Sequence, residues 1–135
     1  GRGAQVNGHR IRVGDRHELT DSLIGTGVPF LGHCDEHLDW YTQSLAAVTS
    51  RSMGVRRAGA ASLDLAYVAA GRLDGFWEMG LNEWDIAAGA LLVREAGGLI
   101  TDLSGGEGWY DSGNVVCGNS KLMRQMLPLV KWSAA

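Results

Sequence analysis

Apolar residues recur along the chain at two spacings, and these spacings predict alternating helices and strands. Residues 37–50 carry a helical stripe, with apolar side chains three or four positions apart at Leu38, Tyr41, Leu45 and Val48. Further helices are predicted over 60–70, over 84–96 and, capped by Ser120, from 120 towards 127, where Pro128 should disrupt the helix. Short strands are predicted over 11–13, 22–27, 73–78, 99–101 and 114–117.

Glycines separate these predicted elements. Gly54, Gly71 and the pair Gly97-Gly98 are expected to end helices, and residues 32–36 read as a polar loop. The alternation of strands and helices is typical of a layered α/β domain. A length of 135 residues fits a single domain of this kind.

Charge and cysteine content narrow the function classes. The net charge of −3 provides no electrostatic footprint for nucleic-acid binding. Cys34 and Cys117 lie far apart and form no paired motif, which favours a reduced, cytoplasmic setting. No apolar run approaches the roughly 20 residues needed to span a bilayer.

A histidine pair is the first candidate for chemistry. His33 and His37 are four residues apart, so they could share a helix face and bind zinc. However, no glutamate follows His33, and the segment is predicted as loop. A solvated polar loop is therefore the favoured interpretation.

Asp85 is a stronger candidate because it lies in the first turn of a predicted helix. Backbone N–H groups without partners at that end stabilise an ionised carboxylate. An ordinary helix-start aspartate would look the same, so both interpretations stay open. The small residues that follow, Ala87 to Ala90 with Gly89 among them, would let the helix approach another backbone closely.

A second helix start repeats this theme. Residues 56–61 place Arg56 and Arg57 just before a run of small residues that leads into a helix N-terminus. Such an end is a natural anion site, and an arginine adds charge for a phosphate. The alternative is a solvent-facing arginine pair before an ordinary helix.

These residues carry a resemblance to a known family. Residues 84–98, WDIAAGALLVREAGG, resemble the second signature of the inositol monophosphatase family at every constrained position. Residues 56–61 and 78–80, with Asp64, Gly71 and Asp74, also stand where that family has them. The resemblance is closest to the bacterial, extragenic-suppressor type. It implies a mixed sheet flanked by helices, the C-terminal half of a layered αβαβα sugar-phosphatase sandwich.

The resemblance also implies roles for individual residues. Asp85 would be catalytic, would ligate Mg²⁺ and would contact a substrate hydroxyl, while Glu78 would hold another hydroxyl. Arg56 would lie near the substrate, and the backbone of Gly59, Ala60 and Ala61 would surround the sugar ring. The implied activity is magnesium-dependent hydrolysis of inositol monophosphate or a related sugar phosphate monoester.

One departure from the family limits this expectation. The first signature, built around Asp-Pro-x-Asp-Gly-Thr, is missing, since neither Pro29 nor Pro128 follows an aspartate. We therefore expect residues 1–135 to be a C-terminal domain without the N-terminal metal-binding half, inactive alone and derived from a longer, homodimeric enzyme. The alternative is a non-catalytic scaffold in transcription antitermination and ribosomal RNA biogenesis, with contacts to transcription factors or RNA polymerase.

Overall fold

A five-stranded mixed sheet forms the centre of the computed structural model, which describes residues 1–29 and 34–131. The strands are β1 (Gln5–Val6), β2 (His9–Arg10), β3 (Leu23–Thr26), β4 (Gly54–Arg56), β5 (Gly75–Glu78), β6 (Leu99–Thr101) and β7 (Val115–Gly118). The order in the large sheet is β4-β3-β5-β7-β6. Strand β3 runs parallel to both β4 and β5, whereas β7 runs antiparallel to β5 and β6.

Helices cover both faces of this sheet. They are α1 (Cys34–Thr49), α2 (Ala61–Ala69), α3 (Glu83–Glu95), α4 (Trp109–Ser112) and α5 (Ser120–Val130). Because side chains alternate along a strand, Phe76 of β5 packs with α2 and α3 while its neighbour Trp77 packs with α1 and α5. Both aromatic side chains are fully buried, so the sheet separates two apolar cores. The predicted mixed sheet flanked by helices is confirmed.

The N-terminal region differs from the prediction of a strand over 11–13. Strands β1 and β2 form an antiparallel hairpin instead, and the turn between them is Asn7-Gly8. Both turn residues have positive φ, 50° for Asn7 and 78° for Gly8, and Asn-Gly is the preferred pair for such two-residue turns. Ile11 and Val13 donate single backbone hydrogen bonds to Ala4 and Ala96 without joining a ladder.

Three helix boundaries also differ from the prediction. Helix α1 already begins at Cys34, inside the predicted loop 32–36, of which residues 32 and 33 lie outside the described residues. Gly54 opens strand β4 and does not end a helix. The cap of α5 is Asn119, whose side chain accepts a hydrogen bond from the Leu122 N–H at 2.8 Å; Ser120 is the first residue inside the helix.

Pro128 does not stop the last helix. Helix α5 continues to Val130 with Pro128 inside it. A proline costs the helix one backbone hydrogen bond, and the next turn recovers stability because Val130 is fully buried against the core between α1, α5 and the sheet. Among the described residues, no helix combines the length and apolar character that crossing a membrane requires.

Helix α3 packs tightly on α2 through Gly89. A Cβ at this position would lie 2.5 Å from Cβ of Leu65 and 2.6 Å from its Cδ1. By contrast, Ala87 and Ala88 are exposed, so only part of the predicted small-residue run makes the close approach.

We therefore expect Gly89→Ala to destabilise the fold. Alanine favours a helix over glycine by about 1 kcal/mol, but the overlap with Leu65 should cost more, leaving a net loss of roughly 1–2 kcal/mol. Urea denaturation of the two proteins measures the difference. A more stable Gly89→Ala protein would mean that helix propensity outweighs packing here, and that α2 and α3 can separate.

Candidate active site

An open cavity of about 450 Å³ lies at one edge of the large sheet. The carboxyl ends of the parallel strands β3 and β5 meet there, and α2 and α3 both begin at the same edge. This edge is where open α/β sheets generally bind ligands. The residues around the cavity come from β3, β5 and the two helix starts: Gly27, Val28, Arg57, Gly59, Ala60, Ala61, Ser62, Glu78, Gly80, Leu81, Asn82, Trp84 and Asp85.

Asp85 lies at the start of α3 and serves as a helix cap. Its Oδ2 accepts a hydrogen bond of 3.0 Å from the Asn82 backbone N–H, one half of a capping box. A carboxylate has further acceptor positions, and Asp85 lines the cavity with its side chain half-buried. The structural and the functional interpretation of Asp85 are therefore compatible, since capping uses only part of the carboxylate.

The loop that carries Asp85 is held firmly from behind. Gly80 donates its N–H to Oδ1 of Asn114 at 3.0 Å, and Leu81 donates its N–H to the Gly113 carbonyl at 2.9 Å. Gly80 has φ of 77°, a conformation that costs glycine nothing. These bonds fix the path from β5 into α3, so Glu78 and Asp85 hold a defined relation to each other.

Glu78 is the last residue of β5, and its carboxyl group lies over Gly27. A Cβ at position 27 would occupy the space of that carboxyl group, so only glycine leaves room for it. Burial, as the largest cause, and the nearby charges of Asp64 and Asp85 together raise the pKa of Glu78 to about 7, against the opposing effect of Arg57. Near neutral pH, Glu78 therefore exists in both protonated and ionised forms.

The start of α2 presents backbone donors to the cavity. Gly59 has φ of 89°, and Ala60 stands at the N-cap position without any side-chain hydrogen bond to the helix. The alanine side chain has no group that could cap the helix, so the backbone N–H groups of the first turn of α2 stay available to an anion or a hydroxyl. This is the arrangement that the sequence of small residues at 59–61 indicates.

Five of the six predicted site residues line the same cavity: Gly59, Ala60, Ala61, Glu78 and Asp85. Arg56 is not among the cavity residues; it ends the edge strand β4 and is exposed. Its neighbour Arg57 lines the cavity instead. The adjacent residues Arg56 and Arg57 predict a positive charge near the start of α2. Which of the two faces the cavity depends on where strand β4 ends.

Two other participants went unnoticed in the sequence. The sequence predicts Gly27 only as part of a strand, although two glycines two positions apart, Gly25 and Gly27, indicate successive gaps on one face of an extended segment. The sequence indicates Asp64 only as a position shared with the family, yet its buried carboxyl group lies close enough to Glu78 to raise the pKa of that residue.

The described residues can be tested for a fit to a metal ion. Over residues 1–29 and 34–131, no three His, Cys, Asp or Glu side chains gather as a metal cage. Mg²⁺ is usually held by one or two carboxylates, several waters and substrate phosphate. Asp85, with an oxygen left over from capping and a place on the cavity wall, fits one position of such a shared shell. Of the predicted histidine pair, His33 lies outside the described residues.

Known proteins resemble this chain over almost all of its length. A sequence profile of the inositol monophosphatase family matches residues 1–133. Over 131 residues the chain is 51% identical to the Nus factor SuhB of Pseudomonas aeruginosa and 52% identical to the inositol-1-monophosphatase of Mesorhizobium japonicum. In both comparisons the match covers 97% of this chain and 48% of the relative. The chain thus spans about half the length of these relatives.

A solved structure gives the same picture in three dimensions. The extragenic suppressor protein suhB from Bartonella henselae is 45% identical and superposes with a TM-score of 0.90. The superposition covers 96% of this chain and 48% of that one.

Proposed function

Because this chain belongs to the inositol monophosphatase family, we propose that it supplies one side of the active site of a magnesium-dependent phosphatase. The substrate would be inositol monophosphate or a related sugar phosphate monoester. One observation carries the proposal: Asp85, Glu78 and the uncapped start of α2 face a single cavity. Its volume of about 450 Å³ lies within the usual range for small-molecule sites.

The residues divide the work of binding between them. The ionised Asp85 carboxylate would take one position on magnesium and accept a hydrogen bond from a substrate hydroxyl. Glu78 would hold a second hydroxyl, and the backbone N–H groups at 60 and 61 would orient the ring. Bound magnesium would neutralise charge on the phosphate and on the departing ester oxygen.

Arg57 provides the cavity's positive charge. Its guanidinium lowers the pKa of Glu78, against the effect of the neighbouring acidic residues. Arg57 also lies in the loop just before α2, whose N-terminus already favours an anion. Arg56, the residue implied by the family resemblance, would then act from the rim of the site. We assign no water-activating group to this chain, because its described residues contain no group of three His, Cys, Asp or Glu side chains that could hold a metal ion.

A Glu78→Gln variant tests this division of roles in a full-length protein that contains this chain. At pH 8, above the pKa of about 7, Glu78 is mostly ionised. The amide keeps the shape of the carboxyl group but cannot carry charge, so substrate hydroxyls lose a charge-assisted hydrogen bond. We expect KM for inositol 1-phosphate to rise by about tenfold, with a smaller change in kcat, since such a bond contributes roughly 1.5 kcal/mol.

The matched control is Glu107→Gln, which makes the same change on a side chain that is 81% exposed and outside the cavity. Steady-state phosphate release at saturating magnesium gives both constants. An unchanged KM for Glu78→Gln would remove Glu78 from the substrate site. Failure of the unmodified protein to hydrolyse any sugar phosphate monoester would overturn the proposed function as a whole.

A second candidate function comes from the name of one relative. The Pseudomonas aeruginosa protein is named a Nus factor. On that ground we also propose for this chain a scaffold role in transcription, with contacts to transcription factors or RNA polymerase. Such a role uses the outer surface and does not require the cavity. It would persist in a variant that has lost phosphatase activity, whereas the enzymatic role would not.

A further inference from the structure

Asp64 is a buried acid next to the cavity, and the proposed chemistry leaves it without a role. Its side chain is 1% exposed, and its Oδ1 has no hydrogen-bond partner within the described residues. Burying a carboxyl group in this way is costly, and native proteins rarely keep such a group without a reason. Burial raises the pKa of Asp64 to about 6.

The position of Asp64 relative to Glu78 follows from two glycines of one strand. Gly25 lies in β3 and Gly27 just beyond its end, so both face α2 and α3. Oδ1 of Asp64 lies 3.4 Å from where a Cβ of Gly25 would be, and the Glu78 carboxyl group fills the corresponding space at Gly27. The two acids therefore occupy neighbouring glycine gaps, separated by roughly 7 Å along the strand.

The charges around this pair are mostly negative. Glu78 faces Asp64 of α2, Asp85 of α3 and Arg57 from the loop before α2, and it also influences Tyr41 of α1. Asp64 in turn faces the thiol of Cys117 from β7, and together with burial it raises the pKa of that thiol. Arg57 is thus the one positive group acting on Glu78 within the part of the chain that the structure describes.

We propose that Asp64 is a positioning residue: from the neighbouring glycine gap, its buried and unpartnered carboxyl group acts on Glu78 and so decides how Glu78 receives a hydroxyl group. A protonated Glu78 both donates and accepts hydrogen bonds, whereas an ionised Glu78 only accepts. The consequence for substrate rests on the proposed function of the cavity. The influence of Asp64 on Glu78 does not, and it can be measured without any turnover.

The decisive experiment is an NMR titration of side-chain carboxyl carbons in this chain and in Asp64→Asn. Asparagine keeps the shape of Asp64 but removes its charge. We expect the midpoint of Glu78 to fall by between one and two pH units, since Coulomb's law gives roughly 1.7 units for charges roughly 7 Å apart near a protein surface. The control Asp39→Asn removes the same charge from an exposed residue of α1, on the other side of the sheet, and should leave Glu78 unchanged.

The unmodified chain provides a measurement that does not depend on the variant folding. Asp64 itself should titrate near pH 6, well above the ordinary value of 3.8. The folded state then binds this proton more tightly than the unfolded state, so the contribution of Asp64 to stability is greatest below pH 4 and is lost as the pH rises through 6. Asp64→Asn should lack this fall, becoming more stable than the unmodified chain at pH 8 but not at pH 4.

A Glu78 midpoint that is the same in both proteins would overturn the proposal. In a full-length protein that contains this chain, the pH profile of KM should move down with the Glu78 midpoint while kcat at high pH changes little. A moved midpoint without a moved KM profile would support the coupling and count against the substrate role of Glu78. The two inferences can therefore fail separately.

Discussion

Replacing Asp85 by asparagine in a full-length protein that contains this chain should reduce turnover by more than roughly 100-fold. Loss of an outer-shell partner of a metal already costs about 10–100-fold, and Asp85 is proposed as a direct ligand. Asparagine is nearly isosteric and can still accept the 3.0 Å hydrogen bond from the Asn82 N–H through its side-chain oxygen. The fold should therefore survive the change, with the melting temperature close to that of the unmodified protein.

The control for this variant is Asp111→Asn, because Asp111 also lies in the first turn of a helix but is exposed and outside the cavity. Phosphate release should be followed across a magnesium titration, with thermal denaturation of each protein alongside. Normal turnover by Asp85→Asn at limiting magnesium would refute the assignment of Asp85. A variant that is inactive but still carries out a transcription role would separate the two proposed functions.

The second large effect concerns the 135-residue chain by itself, which should show no measurable hydrolysis of inositol phosphate with magnesium. Two-metal chemistry needs ions held about 4 Å apart so that the attacking and the leaving oxygens are both stabilised. Among the described residues, Asp85 belongs to no group of three His, Cys, Asp or Glu side chains that could hold a metal ion, and Glu78 is proposed to hold a hydroxyl.

A phosphate-release assay on the purified chain, run beside a full-length protein as the positive control, checks this expectation. Circular dichroism confirms that the chain is folded in the assay, so that inactivity is not mistaken for unfolding. Robust magnesium-dependent turnover by the chain alone would show that the residues described here build a complete site, against the ligand counting above.

The sequence predicted most of the fold because its elements have strong local signals. The helical stripe at 84–96 ends at Gly97-Gly98, and the structure places α3 at Glu83–Glu95 with φ of 87° at Gly97. The strand over 99–101 is found with the predicted bounds. Membership of the inositol monophosphatase family, which residues 84–98 predicted, is confirmed over 1–133.

The features that were missed depend on tertiary contacts. Strand β4 has Val55 as its only apolar side chain, so its pairing with β3 leaves almost no pattern in the sequence. Whether Arg56 or Arg57 faces the cavity depends on where that short strand ends. The burial of Asp64 beside Gly25 brings together residues 39 positions apart, and local periodicity carries no information about such a pair.

The position of the Glu78 carboxyl group over Gly27 also makes the site depend on the register between β3 and β5. In the observed register of β3 and β5, Gly25 stands beside Phe76 and Thr26 beside Trp77. A slip by one residue would send Phe76 and Glu78 to the opposite face and turn Trp77 towards α2 and α3. Such a chain could keep its helices and its compactness and still have no acid in the cavity. An inactive but helical preparation should therefore be examined for misaligned strand pairing before the loss of activity is attributed to any single residue.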